Sequence, residues 1–224
     1  MSIQLYIGYT CEGTTDNKFL HEIINNTFTE VALECQNDVT IEDVVPLQVP
    51  KKPFVQMMVE ASKHTIIRGL SILCIHADAD SKSIVEVHSN KFSPFFDYIN
   101  NLDANIYCKN IVPLIPITET ESWMLADKEL LKKRINAKEM SDLQLGIEKT
   151  PEAYSHPKEI IETAIRKAQE GKTKRRRREL SIADLYGELG QAIKIEKLRT
   201  IPSFRDFETN VRNILINMGY IQPN

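Results

Sequence analysis

Three carboxylates stand where apolar runs stop: Glu12 after the run Ile3 to Tyr9, and Asp78 and Asp80 after the run Leu70 to His76. Along a strand side chains alternate, so residues i and i+2 share one side, roughly 6 to 7 Å apart. Two carboxylates at that spacing repel and call for a counter-charge. A hard cation such as Mg²⁺, or Mn²⁺ in its place, supplies one and takes oxygen ligands at about 2.0 to 2.1 Å. The chemistry expected of Glu12, Asp78 and Asp80 is therefore metal-assisted phosphoryl transfer. The two aspartates hold the metal, and Glu12 shares it or handles a proton. Asp16, four residues after Glu12, can join the ligand set, and Glu121 is a candidate for a second metal. Each has a plainer reading as well. Asp80 or Ser81 can cap a helix, and Asp16 and Glu121 can be favourable charges at helix starts.

The elements that must position these groups follow from periodicity. Ile3 to Tyr9 and Leu70 to His76 read as strands, the second nearly all apolar, as a strand covered on both faces must be. Ile111 to Ile117 reads as a further strand, with Glu119 and Glu121 after it, and Val39 to Val49 has extended character. Phe19, Leu20, Ile23, Ile24 and Phe28 recur at helical spacing. Phe54 to Arg68 reads as a second helix closed by Gly69. A less regular helical stretch runs from about Ile84 to Asn100 and is expected to break near Pro94. Alternating strand and helix argue for parallel βαβ units, a Rossmann-like sheet flanked by helices. Residues 1–127 are expected to form this α/β metal-binding domain. The rest, 128–224, reads as a helical extension packed on it, with helices at Asp127 to Ile135, Pro157 to Glu170, Ile182 to Leu198 and Phe204 to Met218. In open parallel sheets ligands bind beyond the carboxyl ends of the strands, the edge to which three strands here deliver carboxylates.

Composition narrows the function classes. The 224 residues carry a formal net charge of −3, so nucleic-acid binding has to come from local patches. The conspicuous one is Lys174, Arg175, Arg176, Arg177 and Arg178, read either as a phosphate-binding run or as a solvated segment. No stretch approaches the ~18 apolar residues of a membrane span, and the first nine residues lack the basic start of a signal peptide. Four scattered cysteines without a C-x-x-C pair argue against a zinc knuckle and for reduced thiols, hence a cytoplasmic protein. No Walker-type phosphate loop is present. Trp123, the only tryptophan, can pack a helix on the sheet or stack a base. His76 reads as a core or hydrogen-bonded residue.

Glu12-Gly13 before a helix, with Asp78-x-Asp80 after an apolar strand, resembles the TOPRIM domain of type IA topoisomerases, primases and overcoming-lysogenization-defect (OLD) nucleases. Glu12-Gly-Thr-Thr-Asp16 is similar to the Glu-Gly-x-x-acid form of the OLD branch. The segment Pro113-Leu-Ile-Pro116-Ile-Thr-Glu-Thr-Glu121-Ser-Trp123-Met-Leu-Ala-Asp127, with His156-Pro157-Lys158 and Ile201-Pro-Ser203-Phe204, resembles the TOPRIM-like domain-of-unknown-function family 4276. The resemblance covers most of the chain and is specific over the first ~127 residues. It implies a TOPRIM-like fold, a Mg²⁺ or Mn²⁺ cofactor, DNA or RNA as substrate, and a place in bacterial anti-phage defence beside an ATPase partner. A topoisomerase gate or a primase module would need more chain or more cysteines, so a compact metal-dependent nuclease is the expected activity. A non-catalytic module that binds nucleic acid or an ATPase, and a small-nucleotide phosphohydrolase, are the alternatives.

Overall fold

Apolar runs flanked by turn residues become strands here because both faces of the sheet they form are covered. The computed structural model describes residues 2–13, 15–79, 83–170 and 180–223. The first run forms β1 (Ile3–Leu5) and β2 (Ile7–Thr10), parted only at Tyr6, whose carbonyl still accepts the Ser71 amide at 2.7 Å. After α1 (Asp16–Ala32) come β3 (Val39–Ile41) and β4 (Val45–Pro46), then α2 (Phe54–Ile67) and β5 (Ile72–His76). A helical region made of α3 (Ile84–Val87), a π-helical turn (His88–Phe92) and α4 (Ser93–Asn100) leads to β6 (Ile111–Leu114). The α-helices that follow in the described chain are α5 (Glu121–Met124), α6 (Lys128–Arg134), α7 (Asp142–Leu145), α8 (Pro157–Gln169), α9 (Ile182–Ala192), α10 (Ile195–Leu198) and α11 (Pro202–Asn217).

Every strand pair among the described residues is parallel. The four-stranded sheet has the order β4-β2-β5-β6, and β1 pairs with β3 alongside it. The α/β expectation of parallel strands flanked by helices holds. The register sets Thr10 beside Ile75, and His76 beside Leu114. Because side chains alternate, the odd and even positions of β5 enter different cores. Ile72 and Cys74 pack with α1 and the C-terminal helices. Leu73 and Ile75 pack with Met58 and Ala61 of α2 and with Phe92, Phe95 and Ile99. The helices after residue 127 thus share the α1 face. Gly190 of α9 lies so close to α1 that an added Cβ would meet the Phe19 carbonyl oxygen at 3.1 Å. That leaves no slack for a larger residue at the crossing.

Three expectations need correction. The strand expected over Ile111 to Ile117 stops at Leu114, since Pro113 and Pro116 cannot donate to a ladder. As an edge strand β6 tolerates Pro113, and Asn210 of α11 covers that edge by donating to the Pro113 carbonyl at 3.2 Å. The Ile84 to Asn100 helix does not break at Pro94. The missing proline amide is absorbed by the π turn, where the Ser93 amide reaches back to the His88 carbonyl. The helix expected over Ile182 to Leu198 is two helices, parted at Ile193 and Lys194, both extended. Gly69 ends α2 as expected, at φ +68°.

Candidate functional site

The strand order reverses direction between β2 and β5. The chain runs from the central β1/β2 outward to β3/β4, then crosses back to β5 and on to β6. In open parallel sheets this switch point is where neighbouring loops part and leave a crevice. Glu12 leaves β2 and Asp78 leaves β5, so both emerge at its lips.

His76 joins them. Its ring is buried and its Nε2 lies 3.0 Å from Asp78 Oδ1 and 3.1 Å from Thr120 Oγ1. On the other side of the ring the Glu12 amide donates to Nδ1 across 3.4 Å. That acceptor role makes Nε2 the protonated nitrogen of the neutral ring, so Nε2–H donates to Asp78. Burial draws the His76 pKa down, while the Asp78 hydrogen bond and the Asp78, Asp16 and Glu12 charges push it up. The net direction is upward.

Asp16 begins α1 and turns back onto its own loop. Its Oδ2 accepts the Gly13 amide at 3.1 Å, and a Cβ on residue 13 would stand 2.6 Å from that oxygen. Glycine is needed here for the close approach of Asp16. Burial, chiefly, raises the Asp16 pKa; Asp78 and Glu121 add to it, against His76 and the Gly13 amide. Glu121 starts α5 and is buried, its Oε1 accepting a hydrogen bond from the Tyr186 hydroxyl of α9. Burial and that carboxylate hold the Tyr186 phenol well above its usual range. Glu119 is also pushed up, by burial and then by Glu121.

The loop carrying Glu119 and Glu121 makes its turn at Thr118, whose φ of +65° is uncommon for a β-branched residue. Its hydroxyl donates to the Tyr154 carbonyl at 3.3 Å. Glu12 is exposed and ion-paired with Lys91, Nζ to Oε1 at 3.0 Å. Trp123 does not face solvent. It is fully buried, donates to Ser203 Oγ at 2.7 Å and meets Phe204 edge-on, so it packs α5 against α11.

The structure thus brings Glu12, Asp16, Asp78 and Glu121 to one end of the sheet, near enough for their charges to bear on common neighbours. Asp80 and the run Lys174, Arg175, Arg176, Arg177 and Arg178 lie outside the described residues. Among the described residues no three His, Cys, Asp or Glu side chains form a ready metal cage. The donor chemistry nevertheless fits a hard divalent ion. The set is all oxygen, and Asp16, raised chiefly by burial, also feels the Asp78 and Glu121 charges. Mg²⁺ commonly takes one or two carboxylates and keeps several waters.

Sequence reasoning missed His76 as the link between the two strand ends, although its i, i+2 relation to Asp78 signalled a shared side. It also missed Thr120, Tyr186 and Lys91. A further omission is a groove of about 650 Å³ next to Glu12, at the ends of β2 and β4, lined among others by Lys51, Lys52, Phe54 and Lys91.

Fold and site together define an α/β protein with an acidic crevice at the switch point of a parallel sheet. The chain belongs to a family described as Domain of unknown function (DUF4276), whose model matches residues 11–212. No curated protein and no solved structure matches it. None of the described helices is long and apolar enough to cross a membrane.

Proposed function

We propose that this chain is a Mg²⁺- or Mn²⁺-dependent, TOPRIM-like phosphodiesterase that cleaves DNA or RNA in the cytoplasm. One observation carries the reading: Glu12 and Asp78 leave adjacent central strands at the switch point and are tied through a single buried imidazole. Asp78 and Glu12 would hold the ion, with Asp16 and Glu121 behind them and Asp80 as a further ligand. When bound, the ion would activate water and stabilise charge on the phosphate oxygens. The chain's own groups do the rest. His76 and Thr120 fix Asp78 by hydrogen bonds to Oδ1. Glu12 accepts or returns a proton at its carboxylate, and Lys91 beside it offers a positive charge to a phosphate. The resemblance to OLD nucleases is what supports a role in anti-phage defence with an ATPase partner.

The test is cleavage of end-labelled single- and double-stranded DNA and RNA with Mg²⁺, Mn²⁺ or EDTA, alone and with a candidate ATPase. Wild type should cut only with metal. Asp78→Ala should lose cleavage, and Glu12→Gln should fall by about 10²- to 10⁴-fold. Metal binding without cleavage of any substrate would replace this reading with a non-catalytic binding module.

A further inference from the structure

The groove beside Glu12 is not explained by metal chemistry. It opens at the carboxyl ends of β2 and β4 and has an apolar interior that includes Leu47, Val49 and Met57. Its volume of about 650 Å³ falls within the roughly 300 to 1,000 Å³ of small-molecule sites. Its charge is one-sided. Lys51, Lys52 and Lys91 line it, and Glu12, the acidic residue among the described lining residues, is already paired with Lys91. Lys51 and Lys52 follow Pro50 on an exposed loop, and among the described residues Lys52 makes a 4.0 Å contact with Glu60. The Lys91 ammonium stands 5.9 Å from the Phe54 ring centroid, so one cation faces both an aromatic surface and the Glu12 carboxylate.

An apolar interior with an aromatic ring, entered past lysines, suits a ligand with a flat apolar part and an anionic part. We infer that the groove binds one nucleotide unit, its base against Phe54 and the apolar interior and its phosphate at Lys51, Lys52 and Lys91. This deepens the phosphodiesterase reading and rests on it for the role of Glu12 at the rim. The nucleotide held in the groove presents its phosphate toward the crevice where Asp78 lies. Arrival of the phosphate draws Lys91 from Glu12 and frees that carboxylate. Two sources share this chemistry, a free nucleoside monophosphate and the terminal nucleotide of a single strand.

The experiment is calorimetric titration in EDTA with AMP and, separately, with a 5′-phosphorylated single-stranded hexanucleotide. It compares wild type, Lys51→Ala/Lys52→Ala, Phe54→Ala and Leu143→Ala, with folding checked by circular dichroism. Wild type should bind without metal. The lysine pair should weaken binding about tenfold or more and flatten its salt dependence. Phe54→Ala should cost a similar factor because the base has no ring to stack on. Leu143→Ala, at an exposed position of α7 that does not line the groove, should bind as wild type does. Comparable affinity for both ligands identifies a free nucleotide as sufficient, whereas binding of the hexanucleotide alone identifies a strand end; either supports the groove. No binding in EDTA, or equal binding by wild type and the groove variants, overturns it. Groove binding that persists in a protein with no metal-dependent cleavage would remove the phosphodiesterase reading and leave the nucleotide site standing.

Discussion

Nε2 of His76 lies 3.0 Å from Oδ1 of Asp78, with the ring buried between the ends of β2 and β5. Two residues apart on an extended chain, the pair shares one side of the sheet, so the imidazole sets the direction of the carboxylate. His76→Gln keeps comparable bulk but cannot span from the Glu12 amide to Asp78. Groups that orient a ligand in this way typically contribute 10- to 100-fold in metal affinity. Mn²⁺ binding to a folded His76→Gln protein should weaken by about that factor. An unchanged dissociation constant would show that Asp78 needs no positioning.

Asp16 makes stability depend on pH in a defined direction. Its folded pKa lies above the unfolded value of about 3.9, chiefly because of burial. Between those two values the folded state holds the proton that the unfolded state has lost, so stability falls as pH rises through the window. Above the folded pKa the cost of the buried charge is fully present. His76, also raised, acts in the same sense: its contribution is full below its unfolded value and is lost as pH rises through the folded one. Asp16→Asn removes the first effect and weakens the second, because the Asp16 charge is one of those that raise His76. In EDTA at pH 7 it should be more stable than wild type, with a flatter urea-midpoint profile between pH 4 and 7. Mg²⁺ should stabilise the wild type, by about 2.7 kcal/mol at a hundredfold excess over its dissociation constant, and stabilise Asp16→Asn less. A wild-type midpoint that rises on going from pH 5 to 7, with Asp16→Asn no flatter, would contradict this.

How much of this was legible in sequence depends on how local the cause is. β5 could be read because burial on both faces leaves an unbroken apolar run, and the end of α2 because Gly69 supplies the left-handed residue that a helix end favours. The carboxylates could be read because each follows an apolar run. What stayed hidden depends on groups distant in sequence. Lys91 and Glu12 are 79 residues apart, and only the fold brings the π turn and the end of β2 within reach of one another. Tyr186 reaches Glu121 from 65 residues away. Lys51 and Lys52 look like any solvated loop lysines until the fold sets Phe54 and Glu12 beside them. The π turn was missed because a proline in a helical pattern reads as a break, while one extra residue in the turn absorbs it.

The link between Tyr186 and Glu121 ties the C-terminal helices to the site. Tyr186→Phe leaves a buried carboxylate oxygen without its donor, a loss worth about 1 to 3 kcal/mol, and more when the acceptor is charged. Adding Glu121→Gln should recover part of it, because a neutral amide is cheaper to bury. Urea denaturation of the two single variants and the double variant measures this coupling. Additive effects would show that the hydrogen bond contributes nothing.

Residues 1–127 alone should not fold. The α1 face of the sheet is closed by helices from the other half, including Leu185, Leu189, Phe204, Phe207 and Val211, all at most 1% exposed. Removing them would strip α11 from β6 and from Trp123, opening an apolar patch of a kind that soluble monomers rarely carry. Heteronuclear NMR of the 1–127 fragment should give the narrow amide dispersion of an unfolded chain. A dispersed spectrum would mean that the two halves are independent.

The run Lys174 to Arg178 should act on affinity and leave the chemistry alone. Arginine stays protonated at neutral pH and so cannot serve as a base, but its fork of donors suits a phosphate. Replacing Arg175, Arg176, Arg177 and Arg178 with Ser should weaken nucleic-acid binding and leave Mn²⁺ affinity unchanged. For every phosphate that the variant no longer neutralises, the plot of log affinity against log salt should flatten by roughly 0.7 to 0.9, since fewer counterions are released. The weakening should be similar for oligonucleotides of different sequence, because phosphates carry no base information. The groove lysines provide the contrast. Lys51→Ala/Lys52→Ala should weaken both AMP and oligonucleotide binding, whereas the four-serine variant should weaken only the oligonucleotide, which is long enough to reach beyond the groove. The decisive measurement is one salt series with both ligands and both variants. If the four-serine variant keeps the wild-type slope and affinity for the oligonucleotide, the run takes no part in binding, and the groove and crevice must engage every phosphate that the protein holds.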